Sequence, residues 1–205
     1  LVGNALYLTN FHQIRRDIEK ECRERHADHE VFLEEIYETA AQRYGIDKEK
    51  GMRKELELER ALCFANPYMQ QVVKLLQEQG KRIIVTSNMY LRSDLLRELL
   101  ASCGYDLKEI YVSCEQGCSK RHGALQRKLS QRFGNSTVIH IGDNYRMDVE
   151  GSRMAGWKAV HYPNVSELGK PYRGTRMSVI SGSIWQGLVN AKLHSGESLD
   201  PYYEY

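Results

Sequence analysis

From Lys81 onward four short apolar runs recur, RIIVTS, IYVSC, TVIHI and KAVHY, each separated from the next by a stretch of helical pattern. RIIVTS is too short for a helix and lacks alternation, which predicts a parallel strand buried on both faces, and the other three read as further short strands. Between them, Ser93 is predicted to cap DLLRELLASC and Gly104 to end it. Lys120–Phe133 puts Leu125 and Leu129 on one helical face, and a helix from Arg146 to Ala155 closes at Gly156. Strand and helix alternating at this pitch specify right-handed βαβ units, and therefore an α/β fold with a doubly wound, Rossmann-type parallel sheet.

The region before Lys81 reads as helix throughout. Phe11, Ile14, Ile18 and Cys22 fall near helical spacing, and Val31–Tyr44 carries Phe32, Ile36 and Ala40 on one stripe, with Gly45 as its stop. Lys54–Phe64, with its ELELER run, has the alternating charges of a solvated helix face. Asn66 is placed to cap PYMQQVVKLLQEQG, with Pro67 at the first helical position and Gly80 at the end. Three segments follow: a helical cap over 1–65, an α/β core over 66–163, and a helical extension or linker over 164–205. Within the last, SVISGSIWQGLVNAKL reads as a moderately amphipathic helix after a Gly/Pro-rich connection.

Charge and composition exclude some partners. The 29 basic and 27 acidic residues leave a formal net charge of +2, which gives no electrostatic case for nucleic acid or an acidic membrane surface. No apolar run approaches the roughly 20 residues that span a bilayer. Five scattered cysteines, Cys22, Cys63, Cys103, Cys114 and Cys118, suit a reducing compartment and a cytoplasmic location better than a disulfide framework. Cys114, Cys118 and His122 recur every four residues, as zinc ligands on one helix face would, but no CxxC pair or fourth ligand accompanies them. Reduced, partly buried thiols are the preferred reading.

Ligands of parallel sheets bind at the carboxyl ends of the strands, so the polar residues just beyond each run define the candidate site. These are Ser87 and Asn88, Ser113, and then Gly142, Asp143 and Asn144. With Lys120 and Asp148 they form the constellation that phosphoryl transfer asks for. The Ser87 hydroxyl, with Asn88 and neighbouring amides, suits phosphate oxygens, and the lysine offsets charge on the transferring group. Asp143 and Asp148 are hard oxygen ligands suited to magnesium. Gly142 is expected to let the backbone turn tightly out of its strand. His140, inside TVIHI, reads as a satisfied sheet histidine, and Met89 and Tyr90 as packing residues. Asp148 also has an internal role open to it, bonding within its loop or to Lys120.

With VTSN, Lys120 and GDNYRMD in this order, the chain resembles the haloacid dehalogenase-like superfamily of aspartate-nucleophile phosphatases. More narrowly, IIVTSNMYLRSDLL followed by IYVS, a lysine and HIGDN is similar to a bacterial subgroup of predicted hydrolases associated with surface-polysaccharide synthesis. That subgroup's helical patterns are matched by Phe11, Arg15, Glu19 and by LEEIY (Leu33–Tyr37). The resemblance spans about residues 11 to 162. It implies a small phosphorylated metabolite, a sugar phosphate by association, as substrate. It also implies Mg2+ at Asp143 and Asp148, phosphate contacts from Ser87, Asn88 and Lys120, and catalytic roles for Lys120 and Asp143. The superfamily's first motif, a strand ending in Asp-x-Asp whose first aspartate is the nucleophile, has no counterpart in the sequence. A chain that opens on Leu1 and stops at PYYEY is therefore read as a piece of a longer protein, open to fusion with further domains, with its nucleophile upstream of Leu1 and inactive by itself. The alternative is a non-catalytic module or scaffold of a larger, glycosyltransferase-associated protein.

Overall fold

A computed structural model describes residues 1–26, 30–164 and 179–195. In chain order the helices and strands are α1 (Val2–Ala5), α2 (Phe11–Arg25), α3 (Leu33–Tyr44), α4 (Lys48–Leu62), α5 (Pro67–Glu78), β1 (Ile84–Ser87), α6 (Ser93–Ser102), β2 (Glu109–Val112), α7 (Ser113–Gln116), α8 (Ala124–Phe133), β3 (Ile139–Gly142), α9 (Gly151–Met154), β4 (Lys158–His161) and α10 (Val179–His194). A 3-10 turn covers Arg121–Gly123 and a π-helical turn Tyr145–Glu150. The strands form two parallel pairs, β1 with β2 and β3 with β4, consistent with an α/β Rossmann-type fold. The chain divides into two compact units, Leu1–Cys63 with Ile84–Lys120, and Phe64–Ile83 with Arg121–Tyr205. The Gly/Pro-rich connection over 165–178 and the PYYEY end lie outside the described residues.

In the first unit the helices pack through stripes at helical spacing. α2 buries Phe11, Arg15, Ile18 and Cys22, and α3 buries Leu33, Ile36, Tyr37 and Ala40 before Gly45 stops it in the left-handed region at φ 63°. An arginine on the buried face of α2 is unexpected from hydrophobic spacing. Its physical reason lies on α4, where Glu55 accepts from Arg15 Nη2 at 2.9 Å and Nε at 3.1 Å, and from the Tyr37 hydroxyl at 2.6 Å. Arg15 also donates to Glu19 at 3.0 Å and stands over the Tyr90 ring at 4.7 Å. Burial works against the Arg15 charge, but the hydrogen bonds and charge of Glu55 outweigh it and hold the guanidinium protonated. So ELELER is more than a solvated face, and α4 starts earlier than expected. Asp47 caps it by accepting from the Lys50 amide at 2.9 Å.

β1 and β2 pair from Ile84 with Glu109 to Ser87 with Val112, and α6 makes the crossover between them. Ile110, Val112 and Cys114 form the adjoining core with Val85, Met89, Leu96 and Leu100. Ser93 does not cap α6. It is the first helical residue, and its amide donates instead to Glu115 Oε1 at 3.1 Å. Gly104, at φ 83°, ends the helix, with the Tyr105 amide bonding back to the Leu100 carbonyl.

In the second unit Asn66 caps α5 as the sequence predicts, accepting from the Met69 amide at 3.2 Å with Pro67 first in the helix. α8 starts later than expected, because His122 and Gly123 both take positive φ and break the helix after Lys120. Burial on both faces, expected of β1, is incomplete, since Ile84–Ser87 are half-buried throughout. Ile139, Ile141 and Val160 are exposed, since no described element of the second unit covers that side of the pair. α10 buries Val189 and Leu193 beside Tyr162 and Trp185. No described helix is long and apolar enough to cross a membrane.

Removing one member of a buried ion pair costs about 3–5 kcal/mol, because the other charge is left uncompensated. Glu55→Ala is accordingly expected to lower unfolding free energy by about 3 kcal/mol in urea titrations, with Glu19 retaining part of the Arg15 charge. A loss below about 1 kcal/mol would show that the cluster is solvated.

Candidate functional site

Ser87 is the last residue of β1 and Asn88 the next, so both stand where the parallel pair ends. The Lys120 amide donates to Asn88 Oδ1 at 2.9 Å, although 32 residues separate the two. The Lys120 ammonium reaches the Thr86 carbonyl at 3.5 Å, a long and weak bond. Ser87, Asn88 and Lys120 are thereby brought together at one end of β1. Lys120 is carried by a loop rather than by the start of a helix, and Asn88 gives its carbonyl oxygen to hold that loop. Ser113 is fully buried at the start of α7, and its hydroxyl has no hydrogen-bond partner among the described residues.

Both acids lie in the second unit, on the segment that follows β3. Asp143 follows β3 and is exposed, while Asp148 lies in the π-helical turn and is 2 % exposed. Asp148 Oδ2 accepts the Asn144 amide at 2.9 Å, and Oδ1 meets His140 Nε2 at 3.0 Å. The expected regular helix from Arg146 is a wide π turn over its first residues. The Asp148 amide bonds to the Asn144 carbonyl at 2.7 Å, and the Asn144 side chain accepts from the Met147 amide at 3.0 Å. Gly142 also differs from expectation. It is a strand residue outside the positive-φ set, and a Cβ there would sit 2.4 Å from Asp148 Cγ. The glycine makes room for a carboxylate laid across the strand backbone.

Asp143 has partners of its own. The Asn164 side-chain Nδ2 donates to its Oδ2, and His161 Nε2 lies 3.0 Å from its carbonyl oxygen. Gln126, fully buried on α8, donates to the Met147 carbonyl at 3.0 Å and fastens the turn from behind. Sequence reasoning did not identify His161, Asn164 or Gln126, since each acts through a contact distant in the chain. His140 was legible only as a histidine that would find a partner.

The donor chemistry bears on metals in two ways. The described residues contain no group of three His, Cys, Asp or Glu able to hold an ion. Magnesium, however, is commonly bound through one or two carboxylates, with water and substrate phosphate completing the octahedron. The exposed Asp143 carboxylate fits such an ion as one ligand, whereas Asp148, expected as the second, is buried with its two oxygens turned to His140 and the Asn144 amide. The zinc pattern does not survive. α7 ends at Gln116 with Gly117 left-handed, so Cys114, Cys118 and His122 share no helix face. The Cys114 thiol donates to the Leu91 carbonyl, and burial pushes it up to about 11.

The family model described as haloacid dehalogenase-like hydrolase matches residues 3–156. Among solved structures, a hydrolase from Streptococcus pneumoniae TIGR4 is similar at 20% identity and a TM-score of 0.43. The match covers 60% of this chain and 63% of that one, so the chain spans under two thirds of that structure's length. No curated protein matches.

A thiol titrating near 11 is about one part in a thousand thiolate at pH 8. Disulfide-exchange labelling at pH 8 is expected to modify the exposed Cys63 first and Cys114 only on unfolding. Rapid labelling of Cys114 in the folded protein would contradict the buried, protonated assignment.

Proposed function

Because the chain belongs to the haloacid dehalogenase-like hydrolases, we propose that the protein hydrolyses a small phosphate ester, with a sugar phosphate as the substrate class. The observation that carries this reading is the gathering of Ser87, Asn88 and Lys120 at the end of β1. In the proposed reaction a carboxylate oxygen attacks phosphorus, the bond from phosphorus to the alcohol oxygen breaks, and the alcohol takes a proton from the second acid of the Asp-x-Asp that the resemblance implies. Water then attacks the aspartyl-phosphate and releases inorganic phosphate. Ser87 donates to a phosphate oxygen, and the Lys120 ammonium balances charge on the equatorial oxygens. Asn88 keeps Lys120 in reach through its backbone amide. Magnesium, held at the GDNYRMD turn through Asp143 with Asp148 behind it, would supply charge neutralisation at the phosphoryl group. The nucleophile rests on the resemblance alone: an aspartate at the end of a strand encoded ahead of Leu1. The helical segment over 1–65 is proposed as the cap that selects the alcohol and excludes water.

One observation favours a second reading. The sequence contains no Asp-x-Asp, which suits a non-catalytic module within a larger assembly. The coding sequence ahead of Leu1 separates the two. An apolar strand ending in Asp-x-Asp supports the enzyme, and a start codon at that point supports the module.

For the full-length protein assayed on phosphate esters with Mg2+, Asp143→Asn and Lys120→Met are each expected to lower kcat/KM about 100-fold or more. Equal turnover by wild type and Asp143→Asn would refute the metal role.

A further inference from the structure

We infer that His140 is a positioning residue for the acidic turn: through the Asp148 carboxylate it fixes the backbone that presents Asp143. The inference rests on the reading of Asp143 as a metal ligand and adds that Asp148 acts behind it, without touching the ion. Four contacts carry it. His140, in the interior of β3, meets Asp148 Oδ1 at 3.0 Å, with side-chain exposures of 12 % and 2 %. The other oxygen of Asp148 accepts the Asn144 amide at 2.9 Å, one residue past Asp143. The Asn144 side chain accepts from Met147, and Gln126 takes the Met147 carbonyl. Gly142 supplies the gap that the Asp148 carboxylate fills.

The chemistry follows from burial and direction. A carboxylate withdrawn from solvent needs hydrogen bonds at both oxygens, and here a ring nitrogen and a backbone N–H provide them. The imidazole therefore faces the strand side of the turn and the Asn144 amide the loop side, with Asp148 as the bridge. Such a bridge restrains the peptide that follows Asp143, and Asn164 and His161 hold Asp143 itself from the β4 side. Groups that orient a metal ligand in this way change metal affinity 10- to 100-fold when removed. The ring of Trp157 flanks His140, with centroids 6.3 Å apart.

Two variants and two readouts test the inference. His140→Phe fills the ring volume without a nitrogen. His140→Gln keeps a neutral N–H donor near the position of Nε2. Amide hydrogen exchange is followed at Asn144, with Lys158 and Tyr162, whose amides donate to the Val138 and Gly142 carbonyls, as controls in the same sheet. Mn2+ binding, observed by electron paramagnetic resonance, serves as the metal readout. His140→Phe is expected to speed exchange at Asn144 at least 10-fold with the controls unchanged, and to weaken Mn2+ binding about 10-fold. His140→Gln should bring both within about threefold of wild type. Unchanged exchange at Asn144 in His140→Phe would overturn the inference, as would equal acceleration at the controls or failure of His140→Gln to restore. If the expected exchange pattern holds while wild type takes up no Mn2+, the positioning role stands and the metal reading of Asp143 falls.

Discussion

The Lys120 amide donates to Asn88 across 32 residues of chain, and the phosphate-binding reading depends on that bond. Lys120 lies in the irregular stretch between α7 and α8, with positive φ at Gly117, His122 and Gly123. The bond ties a cation to the end of a strand whose last residue is a serine. A neutral hydrogen bond of this kind contributes only about 1 kcal/mol to stability. Its importance here is geometrical, because it reduces the positions open to a long flexible side chain.

The same device recurs elsewhere in the molecule. Asp148 bridges His140 and the Asn144 amide, Gln126 holds the Met147 carbonyl, and Glu55 joins Arg15 to Tyr37. Each places one polar side chain inside the protein and uses it to fix a loop or a helix pair. Burying such groups is costly unless they are satisfied, so each tie exists only where its partners arrive together. Arg15 and Tyr37 were already conspicuous as parts of sequence patterns in the helical region. In the structure both converge on Glu55 and flank Tyr90, which follows Asn88 by two residues. The helical segment thus grips the chain just beyond the end of β1, and the Leu33 amide adds a bond to the Tyr90 carbonyl at 3.1 Å.

How much was legible follows from range. Local rules read the fold well: Asn66 and Pro67 start α5, Gly45 ends α3, and unalternating β-branched runs become parallel strands. The family followed from motif order. Local rules failed where a distant partner decided the outcome. Ser93 looks like a cap, but Glu115 takes over the free amide. Arg15 breaks an apolar stripe because Glu55 lies opposite. Gly142 looks like a turn glycine, whereas its lack of a side chain accommodates Asp148. The exposed face of Ile139 and Ile141 was not legible either, since apolar sequence alone does not specify which layer covers it.

The central claim is that an inorganic anion is held where β1 ends, by the Ser87 hydroxyl and the Lys120 ammonium. Titration of the 15N-labelled protein with orthophosphate tests it directly. The account predicts chemical-shift changes centred on the amides of Ser87, Asn88, Met89 and Lys120, abolished by Lys120→Met. Shifts confined to other residues, or persisting undiminished in Lys120→Met, would contradict it.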